Sequence, residues 1–312
     1  MTRYIVGRIL QIVPVIVGIS IIVFLLVRLI PGDPAIAVLG SRATAQLIAR
    51  VRDQLGLDLP LWRQYLNYVG HALRGDFGIS FFYQTGVWEV TIERLPTTLL
   101  LMGCSILVSV LLAAPFAVIA AVRRGGLVDQ AIRLVFTAAL GMPAFWSGIV
   151  LSVLLGVKLR LFPISGAGEG GLDTLRHLAL PSLTIALALS PILVRTLRSS
   201  LIEVIGSDYV LTGTAMGLGR STLLFSYLLR NSLRPVVSII SINIGYLIGG
   251  TVIAEQIFSL PGMGSLLIGS IATRDYAIIQ LATLIFALLV VAVNLLADLL
   301  YSLLDPRISL AR

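Results

Sequence analysis

Several stretches of this chain stay apolar for 17 to 26 residues, and that unbroken length decides what it can fold into. About 20 helical residues cross a hydrocarbon core roughly 30 Å thick, so each run is long enough to span a bilayer. In lipid a helix satisfies its own backbone groups, whereas a β-barrel is written in short alternating segments that this sequence lacks. Composition agrees. Of 312 residues 57% are hydrophobic and 12% charged, against about 25% charged in soluble domains, and mean hydropathy is +1.00. The sequence predicts an all-α membrane protein with six transmembrane helices, over roughly 9–30, 97–122, 131–155, 178–197, 236–256 and 278–303. The first run is too long for a secretory apolar region and no small-x-small site follows it, so it reads as an uncleaved span.

Six spans put both termini on one side of the bilayer. On that side the short loops and span ends carry Arg3, Arg8, Arg123, Arg124, Arg133, Arg195, Arg198, Arg220, Arg230, Arg234, Arg307 and Arg312. The other side carries Arg28, Lys158, Arg160, Arg176 and Arg274. The 31–95 loop is left out, because loops longer than about 60 residues translocate largely regardless of charge. Twelve against five makes the terminal side cytoplasmic, with the 31–95 loop outside.

The net charge of +8 does not read as a nucleic-acid footprint, since the basic residues are scattered singly and form no stripe. Cys104 is the only cysteine and lies in an apolar run, so neither a disulfide framework nor a cysteine metal site is available. His71 and His177 are far apart and lack partners at ligand spacing, and no metal or other cofactor is expected. Lys158 is the only lysine, and no GxxxxGK[ST] loop surrounds it. Any ATP chemistry must come from another chain. No Ser/His/Asp or paired-carboxylate arrangement falls within a span, so the chain does not read as an enzyme.

Two loops stand out. In 31–95, Ile48, Val51 and Leu55 mark one face of a short helix stopped by Gly56, and a second helix starts at Pro60 with Leu61, Tyr65, Leu66 and Val69 on one face. Gly75 to Gly78 then reads as a turn. Such amphipathic helices can form a platform for a partner or a lid over the helix ends. On the cytoplasmic side, Glu203 to Pro235 is a polar stretch of about thirty residues without a domain of its own, which suggests a docking surface.

Within the spans, Gly245 and Gly249 form a GxxxG followed by Gly250, which permits close backbone approach. It can pack two helices of this chain or meet a second subunit. Pro143 and Pro191 each free a backbone carbonyl and invite a kink. Ionisable residues near spans are costly. Glu255, Asp298 with Asn294 one turn before it, and Asn243 within the fifth run are candidates for a path or gate; the alternative is an interfacial position or an ion pair between helices.

Several segments, in order, resemble the dipeptide/oligopeptide/nickel family of ATP-binding-cassette importer permeases. They are Pro31-Gly32-Asp33-Pro34, Leu55-Gly56-Leu57-Asp58-Leu59-Pro60 before Gln64-Tyr65, Gly75-Asp76-Phe77-Gly78, and Arg94-Leu95-Pro96-Thr97-Thr98-Leu99. Further on come Gly141-Met142-Pro143-Ala144-Phe145-Trp146, Pro261-Gly262-Met263-Gly264, Arg274-Asp275-Tyr276 and Leu304-Asp305-Pro306-Arg307-Ile308. The resemblance implies an importer-permease fold in a bacterial inner membrane, with 1–312 as a single domain and 198–235 as a cytoplasmic coupling loop. It also implies the partners: a second homologous permease, one or two ATP-binding-cassette ATPases, and an extracytoplasmic solute-binding protein.

In that resemblance Asp208, Tyr209, Thr212, Gly213, Ala215, Met216, Gly217 and Leu218 would couple to the ATPase, on a short helix over about 207–216. Asp33, Asp58, Asp76, Arg274 and Asp275 would dock the binding protein, and Gly245 and Gly249 join the candidate path residues. The chain departs from the family at one point. After Asp208-Tyr209-Val210, relatives commonly read Ala-Arg-Ala-Lys-Gly-Leu where this chain has Gly213-Thr214-Ala215-Met216-Gly217-Leu218. Two cations are replaced, and Met is a flexible apolar contact residue, so a greasier docking face is expected. The rival class is an ATP-independent secondary transporter or channel, which would carry inverted repeats or an intramembrane relay of acids. Neither is evident. A membrane scaffold fits poorly with proline- and glycine-bearing spans.

Overall fold

A computed structural model describes residues 2–29, 36, 44–54, 56–219, 222–223 and 230–304. Among them there is no strand, only an isolated bridge between Ile79 and Gly86. Asp33 and its motif, Leu55, Arg220, residues 224–229 and residues 305–312 lie outside the described residues, as does the side chain of Asp298.

The chain divides into two units, the first comprising Met1–Thr97 with Pro261–Val291 and the second Thr98–Leu260 with Ala292–Arg312. The first unit begins with α1 (Thr2–Leu29), followed by α2 (Ala45–Gln54) and α3 (Leu61–Leu73). Gly56 has φ +61°, a left-handed value that stops α2 two residues past its end and favours glycine. Phe24 of α1 packs edge-on against Tyr65 of α3, and Ser20 shares a 2.7 Å hydrogen bond with the same tyrosine.

A long helix, α4 (Val87–Val122), leads through the unit boundary to α5 (Leu127–Leu140) and α6 (Ala144–Leu151), which continues as a π turn over Ser152–Lys158. The run expected at 131–155 is bent by 105° between α5 and α6. Pro143 lacks the N–H and holds φ −60° with an extended ψ of 137°, so α5 ends at Gly141 and a new helix starts at Ala144.

Next comes α7 (Gly171–Ile205), which stays continuous through Pro181 and Pro191. Each proline removes one backbone hydrogen bond, but α7 is surrounded: it packs on α5, α6, α9 (Arg230–Ile242) and α10 (Ile244–Ile257). Between α7 and α9 lies α8 (Asp208–Ala215). In its apolar window α7 is 72% buried, against 33% for α4 and for α12 (Tyr276–Leu304), which makes α7 the core of the second unit. Gly148 of α6 allows close approach there, since a Cβ would meet both Thr184 Cγ2 and Ile257 Cδ1 at 3.2 Å. The first unit is completed by α11 (Met263–Thr273) and the start of α12.

Three helices, α4, α7 and the Tyr276–Ala297 part of α12, are long and apolar enough to cross a bilayer. Counting each bent pair as one span brings the number to five among the described residues. The difference from six falls on α1, whose described apolar stretch, Val13–Leu25, is shorter. The fifth run is also not straight. Asn243 sits between α9 and α10, with a 56° bend between Pro235–Ile242 and α10, so its expected place in mid-helix is corrected to a helix junction. Its backbone N–H keeps the regular helical bond to the Ile239 carbonyl at 3.0 Å, and its Nδ2 donates to the same carbonyl at 2.8 Å, a side-chain back-bond of the kind that bends helices.

Candidate functional site

Only Gly206 and Ser207 separate α8 from the buried helix α7. At its far end the Leu218 N–H donates to the Gly213 carbonyl (3.1 Å) and the Gly217 N–H to the Thr214 carbonyl (3.0 Å). That pair of bonds is a Schellman motif, and Gly217 occupies its left-handed position with φ +76°. Among the described residues nothing lies within 4 Å of the Cβ that another residue would carry there, so the demand for glycine is conformational and not steric. Gly213 is the opposite case: a Cβ would meet Leu218 Cδ1 at 3.1 Å and Leu223 Cδ2 at 3.2 Å.

Val210 and Gly213 therefore turn inward, while Asp208, Tyr209, Thr212, Ala215, Met216 and Leu218 are exposed. Met216 is 78% exposed and, with Tyr209, Leu211 and Leu218, gives this short helix an apolar outer face. Asp208 in its first turn suits the positive end of the helix dipole.

An ion pair ties α7 to α5 in the stretch of α7 that leads to α8. Arg198 Nε and Nη2 donate to Asp129 Oδ1 and Oδ2 at 2.7 and 2.6 Å, a bidentate fork. Asp129 is 1% exposed, Arg198 18%. The Gly125 N–H donates to the same carboxylate at 2.9 Å and Arg133 Nε stands 3.7 Å away. Asp129 was absent from the candidates drawn from the sequence. The available signal is one acid set among Arg123, Arg124 and Arg133 at a predicted span end.

Glu255, a candidate for the path, is fully buried and accepts from Thr98 Oγ1 at 2.6 Å. Asn294 is exposed and accepts from Ser241 Oγ at 2.9 Å, and Asp298 falls on α12. Gly245 and Gly249 are both exposed, and among the described residues nothing beyond their chain neighbours and own helix backbone lies within 4 Å of either Cβ position, while a Cβ on Gly250 would meet Ile185 Cγ2 at 3.6 Å. Tyr246 and Ile253 of α10 extend the open face at helical spacing, so among the described residues the paired glycines are not consumed by packing.

In the first unit Asp58, Asp76 and Arg274 are exposed. Asp58 is held by Arg52 Nη2 at 2.7 Å. The Gly78 N–H and the His71 imidazole hold the Asp76 carboxyl below the usual carboxylate range, so this turn is fully held at neutral pH and loosens only as pH falls below that range. Asp275 differs. It is 2% exposed, accepts from Ser80 Oγ and the Phe82 N–H, and caps α12 through the Ile278 N–H. Its candidacy as a docking contact is corrected to an internal clamp, because both its oxygens are spent inside the chain. Asp275→Ala is expected to cost about 2–3 kcal/mol, the sum of a lost cap and a lost hydrogen bond to a charged group, measured by thermal unfolding in detergent. An unchanged transition would reject the clamp.

Among the described residues no group of three or more His, Cys, Asp or Glu could hold a metal ion. The arrangement provides helix junctions, a detached short helix and open small-residue faces, all suited to movement and docking.

Comparison with known proteins agrees with this arrangement. Residues 113–310 match the binding-protein-dependent transport system inner membrane component family, and residues 1–102 match the N-terminal region of such membrane components. The chain is 36% identical to the dipeptide transport system permease protein DppB of Escherichia coli K12, over 99% of both chains. It is 36% identical to the glutathione transport system permease protein GsiC of the same strain, again over 99% of both. A probable peptide ABC transporter permease protein, y4tP, of Sinorhizobium fredii is also 36% identical, over 98% of both. In structure, a chain of the inward-facing MetNI methionine ABC transporter superposes with a TM-score of 0.56 at 15% identity, covering 69% of this chain and 95% of that one, a likeness of fold. Permeases of this family work in membranes with an ATPase and a substrate-binding partner. The chain belongs to the family of binding-protein-dependent transport system inner membrane components, the permease subunits of ATP-binding-cassette importers.

Proposed function

We propose that this chain forms half of the translocation path of an importer for peptides or similar small solutes. Its other half is a second, homologous permease, one or two ATPases supply the energy, and a solute-binding protein delivers the cargo outside. Six helices cross the membrane with both termini in the cytoplasm, as the excess of arginine on that side supports. The observation that carries the reading is α8, an exposed apolar helix two residues from the most buried helix of the second unit. ATP binding closes the ATPase subunits, α8 follows in its groove, and α7 passes that displacement to α5, α6, α9 and α10, a rigid-body switch. The open face at Gly245 and Gly249 supports close packing against the second permease. The solute class follows the relatives, which are named for dipeptide, peptide and glutathione transport.

The test is mass spectrometry of what co-purifies with the tagged chain in mild detergent. A second permease with P-loop ATPases is the expected result. Recovery of the chain alone, monodisperse and stable, would favour a transporter that works without ATP.

A further inference from the structure

A cavity of about 280 Å³ opens within the second unit, between α5 and α7. On α5 its wall takes Arg133, Phe136, Thr137 and Leu140, which share one helix face at spacings of three, four and seven. On α7 it takes Pro191, Val194, Arg195 and Arg198 at the same spacings. Asp129 of α5 bonds Arg198, while Leu140 and Pro191 line the same cavity, so the two helices run antiparallel. The arginines therefore gather toward one end of the cleft. Leu140 and Pro191 stand at the other, each seven residues along its helix from an arginine, or about 10 Å.

The arginine end carries unbalanced charge. Among the described residues Asp129 is the one carboxylate bonded there, and its oxygens already take Arg198 and the Gly125 N–H. Arg133 reaches it only at 3.7 Å, and among the described residues no carboxylate pairs with Arg195. Three guanidinium groups against one carboxylate leave two positive charges. Arg133 and Arg195 are both exposed, so both can turn to a ligand. The far end is apolar. Phe136 is buried and held edge-on by Phe116, with 5.3 Å between ring centroids, and Leu140 is 48% exposed.

We infer that this cleft binds an anionic phospholipid, its phosphodiester on Arg133 and Arg195 and the start of an acyl chain along Phe136, Leu140 and Pro191. A guanidinium presents paired N–H donors that fit phosphate oxygens, and desolvation beside an apolar wall strengthens the contact. A compact free anion would leave the apolar end empty. A polar solute would find one hydroxyl there, that of Thr137, and otherwise hydrocarbon. Basic pockets between membrane helices take lipid headgroups on the same grounds. The site goes beyond the importer reading and draws on it only for the bilayer.

The test uses the full chain, purified in mild detergent with its subunits. Native mass spectrometry counts the lipids it retains from equal additions of dioleoyl phosphatidylglycerol and dioleoyl phosphatidylcholine. Preferential retention of phosphatidylglycerol is expected, and excess inorganic phosphate should not displace it. Arg133→Gln and Arg195→Gln should each weaken that retention by about 5-fold and together by about 30-fold, with phosphatidylcholine unchanged. Arg123→Gln with Arg124→Gln, at two exposed arginines outside the cleft, should retain the lipid like the parent. Equal retention of the two lipids by the parent overturns the inference. Displacement by phosphate does so too, by making the cleft a site for a free anion. An equal loss in the Arg123/Arg124 variant, or none in the Arg133/Arg195 variant, would place the lipid elsewhere and likewise overturn it. The lipid comparison and the phosphate arm need no variant, so they stand even if an arginine variant fails to assemble. The counts depend neither on transport nor on which subunits are present, so failure here is distinct from failure of the importer reading.

Discussion

Arg198→Ala is expected to destabilise the chain by about 2–3 kcal/mol, because it strands the Asp129 carboxylate without its fork. The loss stays below the roughly 3–5 kcal/mol of a pair enclosed on every side, since Arg198 keeps 18% exposure and Arg133 reaches within 3.7 Å. Arg198→Lys should recover only part of it, because a single ammonium cannot reproduce two parallel N–H···O bonds. Replacing both partners, as Asp129→Asn with Arg198→Gln, should cost less than the sum of the single changes. Unfolding in mixed detergent micelles would measure these three variants and the two single changes, Asp129→Asn and Arg198→Gln. If Arg198→Ala unfolds with the parent, the pair contributes nothing.

Replacing Gly217 with isoleucine is expected to abolish transport while membrane insertion continues. The position demands φ +76°, which costs an L residue about 1–2 kcal/mol and a β-branched one more. Among the described residues no neighbour would clash, so the strain has one outlet: the Schellman bonds open and the exposed face of α8 loses its bearing on α7. Gly217→Asn, which tolerates the left-handed region, should keep most activity. Uptake by right-side-out vesicles, set against the amount of inserted protein, separates the two effects. Normal uptake by the isoleucine variant would sink the coupling role of this helix.

Much of this architecture is legible in the sequence because lipid imposes simple rules. Run length marks α4, α7 and α12, and the short helix expected over 207–216 lies at Asp208–Ala215. The glycine stop at Gly56 and the start of α3 after Pro60 also follow from local chemistry. What sequence periodicity cannot carry is partner choice. Asp275 reads as a loop acid, yet its carboxylate meets Ser80, which is 195 residues away in the chain. Thr98 and Glu255 are joined across 157 residues, and Asp129 and Arg198 across 69. A proline announces a break but not its size, so Pro143 leaves open whether the chain leans or turns by 105°. Asn243 is polar in an apolar run, and only the doubled bond to the Ile239 carbonyl makes it a junction.

The unbroken course of α7 through two prolines has a mechanical consequence. At 1.5 Å per residue its 35 residues form a rod about 50 Å long. With α8 attached at one tip by two residues, a tilt of about 5° there sweeps the opposite tip through roughly 4–5 Å, nearly the full pitch of a helical turn. The chain thus holds a lever arm, and a nudge no larger than a side-chain repacking at the tip that bears α8 is geared up to several ångströms at the other.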